Sequence, residues 1–163
     1  MIYLILIKLI INRWDFMDQG TVNILIIENN LEDADLIAKA FEGVEISNRT
    51  HIISDGEAAM DYLYRKGNYK EVPFPDLIIL NLNIPKMKGI EILKAVKCDK
   101  TLKIIPVIVL TASNALEDIT NSYRNYANCY ITKPKNFVEF TEIAVFIELF
   151  WLNVVSIPGC YMK

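Results

Sequence analysis

What most constrains this chain is an alternation: aliphatic runs are followed, five times over, by stretches whose apolar residues recur at helical spacing. Val22–Ile27 is an aliphatic run, as expected for a strand buried on both faces. After it, Ala34, Ile37, Ala38 and Phe41 fall on one face of a helix over Asp33–Glu42, with Gly43 as its stop. Further strands are expected at Thr50–Ile53, Asp76–Leu82, Pro106–Thr111 and Cys129–Thr132. Helices are expected near Glu57–Arg65, Gly89–Lys97 and Ala115–Tyr126, and a terminal one over Phe137–Val155. Parallel strands joined by helical crossovers are the economical arrangement of such an order. The expected fold is therefore a doubly wound α/β sandwich, a five-stranded parallel sheet between two helical layers.

Composition agrees. With 163 residues there is room for one domain, and 53% hydrophobic against 23% charged residues can bury a core. The net charge is −3 and no basic stripe is visible, which argues against nucleic-acid binding. Cys98, Cys129 and Cys160 are odd in number and form no C-x-x-C pair, so a reducing, cytoplasmic setting is expected. Cys98 and Cys129 read most simply as packing residues.

Both ends stand apart from this core. MIYLILIKLII is apolar, but it is shorter than the roughly 20 residues a membrane helix needs, and Lys8 interrupts it. Residues 1–16 read as an extension: an extra packed element, an interaction segment, or the product of an upstream start with the native chain beginning at Met17. The domain proper is expected over 17–155, followed by a tail over 156–163. In the terminal helix, Phe137, Phe140, Ala144, Ile147 and Trp151 form one buried face. Val145, Leu149 and Leu152 form a second apolar strip, which is expected to be covered either by the N-terminal segment or, the favoured reading, by a second copy across a homodimer seam.

Ligands of open α/β sheets sit at the carboxyl ends of the strands, where the strand order switches. The residues there are Glu28-Asn29-Asn30, Asn81-Leu82-Asn83, Thr111-Ala112-Ser113 and Thr132-Lys133-Pro134. One carboxylate, several amides, hydroxyls and a lysine should converge on one pocket.

The stretches ILIIENNLEDADLI, FPDLIILNLNIPKMKGIEIL, IPVIVLTAS, NCYITKP and FIELFWLNVV occur in this order between Val22 and Val155. As a set they resemble the response-regulator receiver domains of two-component signalling, and most of all the stand-alone receivers that partner phytochrome-type histidine kinases. The resemblance implies a flavodoxin-like fold. It also implies phosphoryl transfer from a kinase histidine to an aspartate ending the third strand, with Mg²⁺ on that aspartate and an acidic pair after the first. On this chain Glu28 and Asn29 occupy the acidic-pair positions and Asn81 the phosphoacceptor position. Thr111 and Lys133 stand where the family holds phosphoryl oxygens, and Tyr130 stands where it often carries a switch aromatic. The family's Lys–Pro bond, here Lys133–Pro134, is typically cis.

Asn81 and Asn29 depart from that chemistry. An amide is a poor nucleophile without charge, so Asn81 cannot form an acyl phosphate, and Asn29 removes a metal carboxylate. Glu28 and Lys133 alone give a neutral pocket, and Lys133 is expected to pair with Glu28 or bind the Asn81 amide oxygen. No Mg²⁺ or other cofactor is expected, although Glu28, Asn29 and Asn81 are the family's metal positions. Glu32, Asp33 and Asp35 read as a solvated helix start, or else as a kinase docking point. His51 reads as structural. Tyr123, Tyr130 and the terminal helix should share one interaction face.

The leading expectation is a pseudo-receiver that is not an enzyme and acts by binding a sensor histidine kinase or another receiver. The alternative is a phospho-accepting single-domain regulator with an acceptor not visible in the sequence. A flavodoxin-like cofactor binder would want a Gly-rich cradle after the first strand, and Glu28-Asn29-Asn30 is not one.

Overall fold

The computed structural model describes residues 21–42 and 47–158. The N-terminal extension, the Gly43 stop, Cys160 and most of the tail lie outside the described residues. The strands are β1 (Val22–Ile27), β2 (Asn48–Ile53), β3 (Leu77–Leu80), β4 (Val107–Thr111) and β5 (Cys129–Thr132). They form one sheet in the order β2-β1-β3-β4-β5, and every pairing is parallel. Between them run α1 (Leu31–Glu42), α2 (Gly56–Leu63), α3 (Gly89–Cys98) and α4 (Leu116–Arg124), and α5 (Phe137–Glu148) follows β5.

The strands are aliphatic because both sheet faces are covered. Side chains alternate along each strand, so Leu25 and Ile27 of β1 join one core while Val22, Ile24 and Ile26 join the other. The first core takes Ala59, Tyr62 and Leu63 from α2 and Ile92, Leu93 and Val96 from α3. The second takes Ala34, Ile37 and Phe41 from α1 and Phe140 and Ile147 from α5. Three layers result, as the periodicity led one to expect.

The chain's last described part departs from expectation. The α-helix stops at Glu148, and Leu149–Val154 continues as a π-helical turn. A wider turn rotates the following residues relative to the 3.6-residue period. Trp151 and Leu152 consequently both face the second core, and Leu152 is 4% exposed. Leu152 is thus a core residue and not part of the outward strip that spacing assigned it to. Phe137, placed by spacing on the buried face, sits in the first turn and is exposed. Ile157, placed in the tail, is buried in the second core, so the packed unit runs past Val155. Cys98, read as a packing residue, is exposed at the end of α3.

Candidate functional site

The strand order reverses between β1 and β3, and their carboxyl ends carry Glu28 and Asn81. The sheet's hydrogen bonding reaches one residue past the strands. Glu28 N donates to Ile53 O at 2.9 Å, Asn81 N to Ile27 O at 3.0 Å, and Lys133 N to Thr111 O at 2.8 Å. The backbone of three pocket residues is therefore fixed by the same ladder that builds the sheet. Gly89 closes the floor from behind: a Cβ there would stand 2.3 Å from Asn81 O and 2.6 Å from Leu82 Cα. No side chain fits in that space.

At the centre is an ion pair shielded from water. Lys133 Nζ lies 2.5 Å from Glu28 Oε2, and the two side chains are 8% and 3% exposed. The same ammonium lies 2.8 Å from Asp33 Oδ2. The expected Lys133–Glu28 pairing is present, but Asp33 joins it, so the charged set carries a net −1 and not zero. Asp33 is also not the solvated residue that the acidic run suggested. Asn30 caps α1, its Oδ1 accepting from Glu32 N at 3.0 Å and Asp33 N at 3.2 Å, which fixes Asp33 in the first turn above the strand ends. Asp35 points away and pairs with Lys39 at 2.6 Å on the exposed face.

Asn81 completes the network. Its Nδ2 donates to Glu28 Oε1 at 3.0 Å, with longer approaches of 3.4 Å to Asn29 Oδ1 and Asn83 O. Its Oδ1 accepts from Asn83 N at 3.2 Å. A carboxylate only accepts, so the amide must turn its nitrogen toward Glu28. Glu28 Oε1 also accepts from Asn30 N at 3.0 Å. Both oxygens of Glu28 are thus engaged, and Lys133 bonds the two carboxylates, not the Asn81 amide oxygen.

Thr111 Oγ1 is buried and finds no hydrogen-bond partner among the described residues, an arrangement that costs about 1–3 kcal/mol. The Tyr130 hydroxyl donates to Ser113 O at 2.9 Å, and burial pushes its pKa above the ordinary tyrosine value. Ser113 Oγ in turn donates to Asp118 Oδ2 at 2.5 Å, tying the loop after β4 to α4. The structure therefore brings Glu28, Asn29, Asn81, Lys133 and Asp33 together, with Tyr130 holding the neighbouring loop. The Lys133–Pro134 bond is trans, contrary to the expectation of a cis bond. An X–Pro amide separates the isomers by only about 0.5–1 kcal/mol, so the surroundings decide between them.

Outside the pocket, Tyr123 is exposed on α4, and its hydroxyl oxygen accepts from Tyr130 N at 3.3 Å. Val145 and Leu149 are half-buried, and Phe146 and Phe150 beside them are exposed. His51 is half-buried with its ring centroid 5.5 Å from that of Tyr62, which suits a structural role. Among the described residues no helix is long and apolar enough to cross a membrane.

Comparison with known proteins gives this geometry a context. Residues 24–144 match the family described as the response regulator receiver domain. The response regulator Rcp1 of Synechocystis is 39% identical over 83% of this chain and 92% of its own length. FilR2 of Methanothrix harundinacea, a probable methanogenesis regulatory protein, is 36% identical over 83% and 87% of the two chains. The Mn²⁺-bound form of Rcp1 superposes with a TM-score of 0.83, covering 84% of this chain and 99% of that one at 39% identity. The phosphorylated cyanobacterial phytochrome response regulator RcpA superposes equally, with a TM-score of 0.83 at 40% identity over 85% and 99%.

Proposed function

The chain belongs to the response-regulator receiver family, and on that premise we propose that it serves phosphorelay signalling as a pseudo-receiver. It binds partners without taking a phosphoryl group at residue 81 and without working as an enzyme. Its likeness to a phytochrome response regulator supports a phytochrome-type sensor histidine kinase, or another receiver, as the partner. Its setting is then the cytoplasm, where such kinases present their phosphohistidine.

The observation that carries this reading is the Lys133–Glu28–Asn81 network. The lysine that would meet a phosphoryl oxygen is already held between two carboxylates. Residue 81 is an amide whose nitrogen is turned to Glu28. Mg²⁺ takes near-octahedral oxygens, chiefly carboxylates, phosphate and water. Of Glu28, Asn29 and Asn81 only Glu28 is charged, and both its oxygens are engaged. This donor set does not fit the ion.

Asn81→Asp tests the reading. It would set a carboxylate oxygen about where the amide nitrogen stands, 3.0 Å from Glu28 Oε1, so like charges meet in a buried pocket. The variant should melt lower than the native protein and recover on adding Mg²⁺. The native protein should respond neither to Mg²⁺ nor to Mg²⁺ with beryllofluoride. A ligand bound only by the folded state at a hundredfold excess over its Kd adds about 2.7 kcal/mol, so binding would be plain in a thermal melt. Stabilisation of the native protein by both additions would overturn the proposal. Thr111 favours the second reading, a phospho-accepting regulator, because its buried, unpaired hydroxyl still offers a bond to an oxyanion. Under that reading the native protein would take label from a small-molecule phosphodonor.

A further inference from the structure

At the far end of the sheet from Asn81 lies a cavity of about 590 Å³, within the range of roughly 300–1,000 Å³ usual for small-molecule sites. It opens where β1 and β2 begin, under the layer formed by α2 and α3. Phe74, Leu102, Ile104 and Ile105 give it apolar walls, and Phe74 and Ile104 are large apolar side chains left partly in solvent. Two arginines, Arg49 from β2 and Arg65 just after α2, also line it. Among the described residues neither is paired with a carboxylate. Asp76 lines the cavity as well, but its carboxylate is committed to β1, accepting from Asn23 N at 2.7 Å and Asn23 Nδ2 at 3.3 Å.

Arg65 takes the left-handed position that ends α2. Its φ is +52°, in the left-handed region where a residue with a Cβ is strained. There its guanidinium carbon lies 3.9 Å from the centre of the Phe74 ring. Stacked in this way, the fork keeps its in-plane N–H groups for a planar anion. That conformation closes α2, Arg65 N donating to Tyr62 O at 3.0 Å and Lys66 N to Asp61 O at 2.8 Å, and it leaves the arginine side chain at the cavity wall.

We propose that this cavity binds a small organic acid, its carboxylate held by Arg65 and Arg49 and its apolar body lying along Phe74 and Ile104. The site is independent of the Asn81 pocket and stands whether or not that pocket takes phosphate. Charge and wall point to the same ligand class. Both arginines are exposed and carry no carboxylate partner among the described residues, so a ligand with an anion and an apolar body can meet their charge while covering Phe74 and Ile104.

The test is a set of NMR titrations of the full chain with 4-phenylbutyrate, 4-phenylbutanol and inorganic phosphate. The expected result is saturable shifts from 4-phenylbutyrate alone, centred on Arg49, Arg65, Phe74 and Ile104. Arg65→Gly should weaken them about tenfold, one lost charge-assisted contact, while keeping the fold, since glycine suits that φ. Arg49→Gln gives a second, strain-free check. Equal binding of the alcohol would remove the role of the anion, and equal binding of phosphate would remove that of the walls. Shifts centred on α5, or none at up to ~10 mM probe, tenfold above a Kd of ~1 mM, would overturn the proposal.

Discussion

Residue 81 and residue 133 decide what this pocket can do. A buried ammonium is costly unless it is paired, and Lys133 is paired twice. The two pairs are unequal, because the Asp33 side chain is 27% exposed and that of Glu28 only 3%. The inner pair should therefore carry more of the coupling, water screening the outer one. Glu28→Gln should cost about 2–4 kcal/mol in urea unfolding at neutral pH. That lies at or below the usual 3–5 for breaking a buried pair, because Asp33 remains. A change within about 0.5 kcal/mol, the size of an ordinary surface substitution, would mean that the pair is not what holds the pocket. Sequence alone marked Glu28 and Lys133 as partners, since both stand at the carboxyl ends of parallel strands in one sheet. It did not mark Asp33, because an acid in a helix's first turn is ordinary and nothing local says that a lysine 100 positions away will reach it.

At the scale of the element, α5 and its π-helical turn divide the terminal segment between core and surface. Buried Phe140, Ala144 and Ile147 keep helical spacing, and then Trp151 and Leu152 turn inward together. Val145, Phe146, Leu149 and Phe150 are left as an outward apolar strip, with Phe146 at 60% and Phe150 at 51% exposure. We expect this strip to pair with a second copy of the chain. Phe146→Ser with Phe150→Ser should shift a sedimentation profile from dimer to monomer and leave the melt of the monomer nearly unchanged. Leu152→Ala should do the reverse, leaving assembly intact and costing about 2–5 kcal/mol, as leucine truncations in cores do. A monomeric native protein would refute the first half, and a neutral Leu152→Ala would refute the second. The strip was legible as helical periodicity, but its membership was not. One π-turn moves every later residue by a fraction of a turn, and no local signal in Leu149–Val154 announces it.

At the other end of the molecule a lysine ties several elements together, and among the described residues it has no carboxylate partner in hydrogen-bond reach. Lys97 Nζ, at the end of α3, donates to Ile105 O at 2.7 Å, Asn128 Oδ1 at 3.0 Å and Lys103 O at 3.3 Å. Asn128 Oδ1 also accepts from Val107 N at 2.9 Å, so helix, sheet and the approach to β5 meet there. Burial lowers the Lys97 pKa from 10.5 to about 8. Below pH 8 both folded and unfolded chains hold the proton, and the cost of the half-buried ammonium is fully present. As pH rises from 8 toward 10.5 only the unfolded chain keeps the proton, and stability rises. Cys129, whose thiol is pushed above 9.0 by burial, acts in the opposite sense from about pH 9 upward. Between pH 8 and 9 the native protein should therefore gain stability relative to Lys97→Met. Equal slopes for the two proteins would show that Lys97 does not titrate there.

Sequence by itself determined the class of fold, because strand and helix periods are local and their alternation leaves few parallel topologies. It also placed Glu28, Asn81 and Lys133 at one pocket, because the residues closing parallel strands must gather at one edge of the sheet. Tertiary structure alone decided that Asp33 completes the ion network, that Leu152 belongs to the core, and that Arg49 and Arg65 face one cavity. Each of these depends on how far two distant backbones stand apart, or on the phase a helix keeps along its length. Such distances and phases are set only when the layers pack, and no short window of sequence carries them.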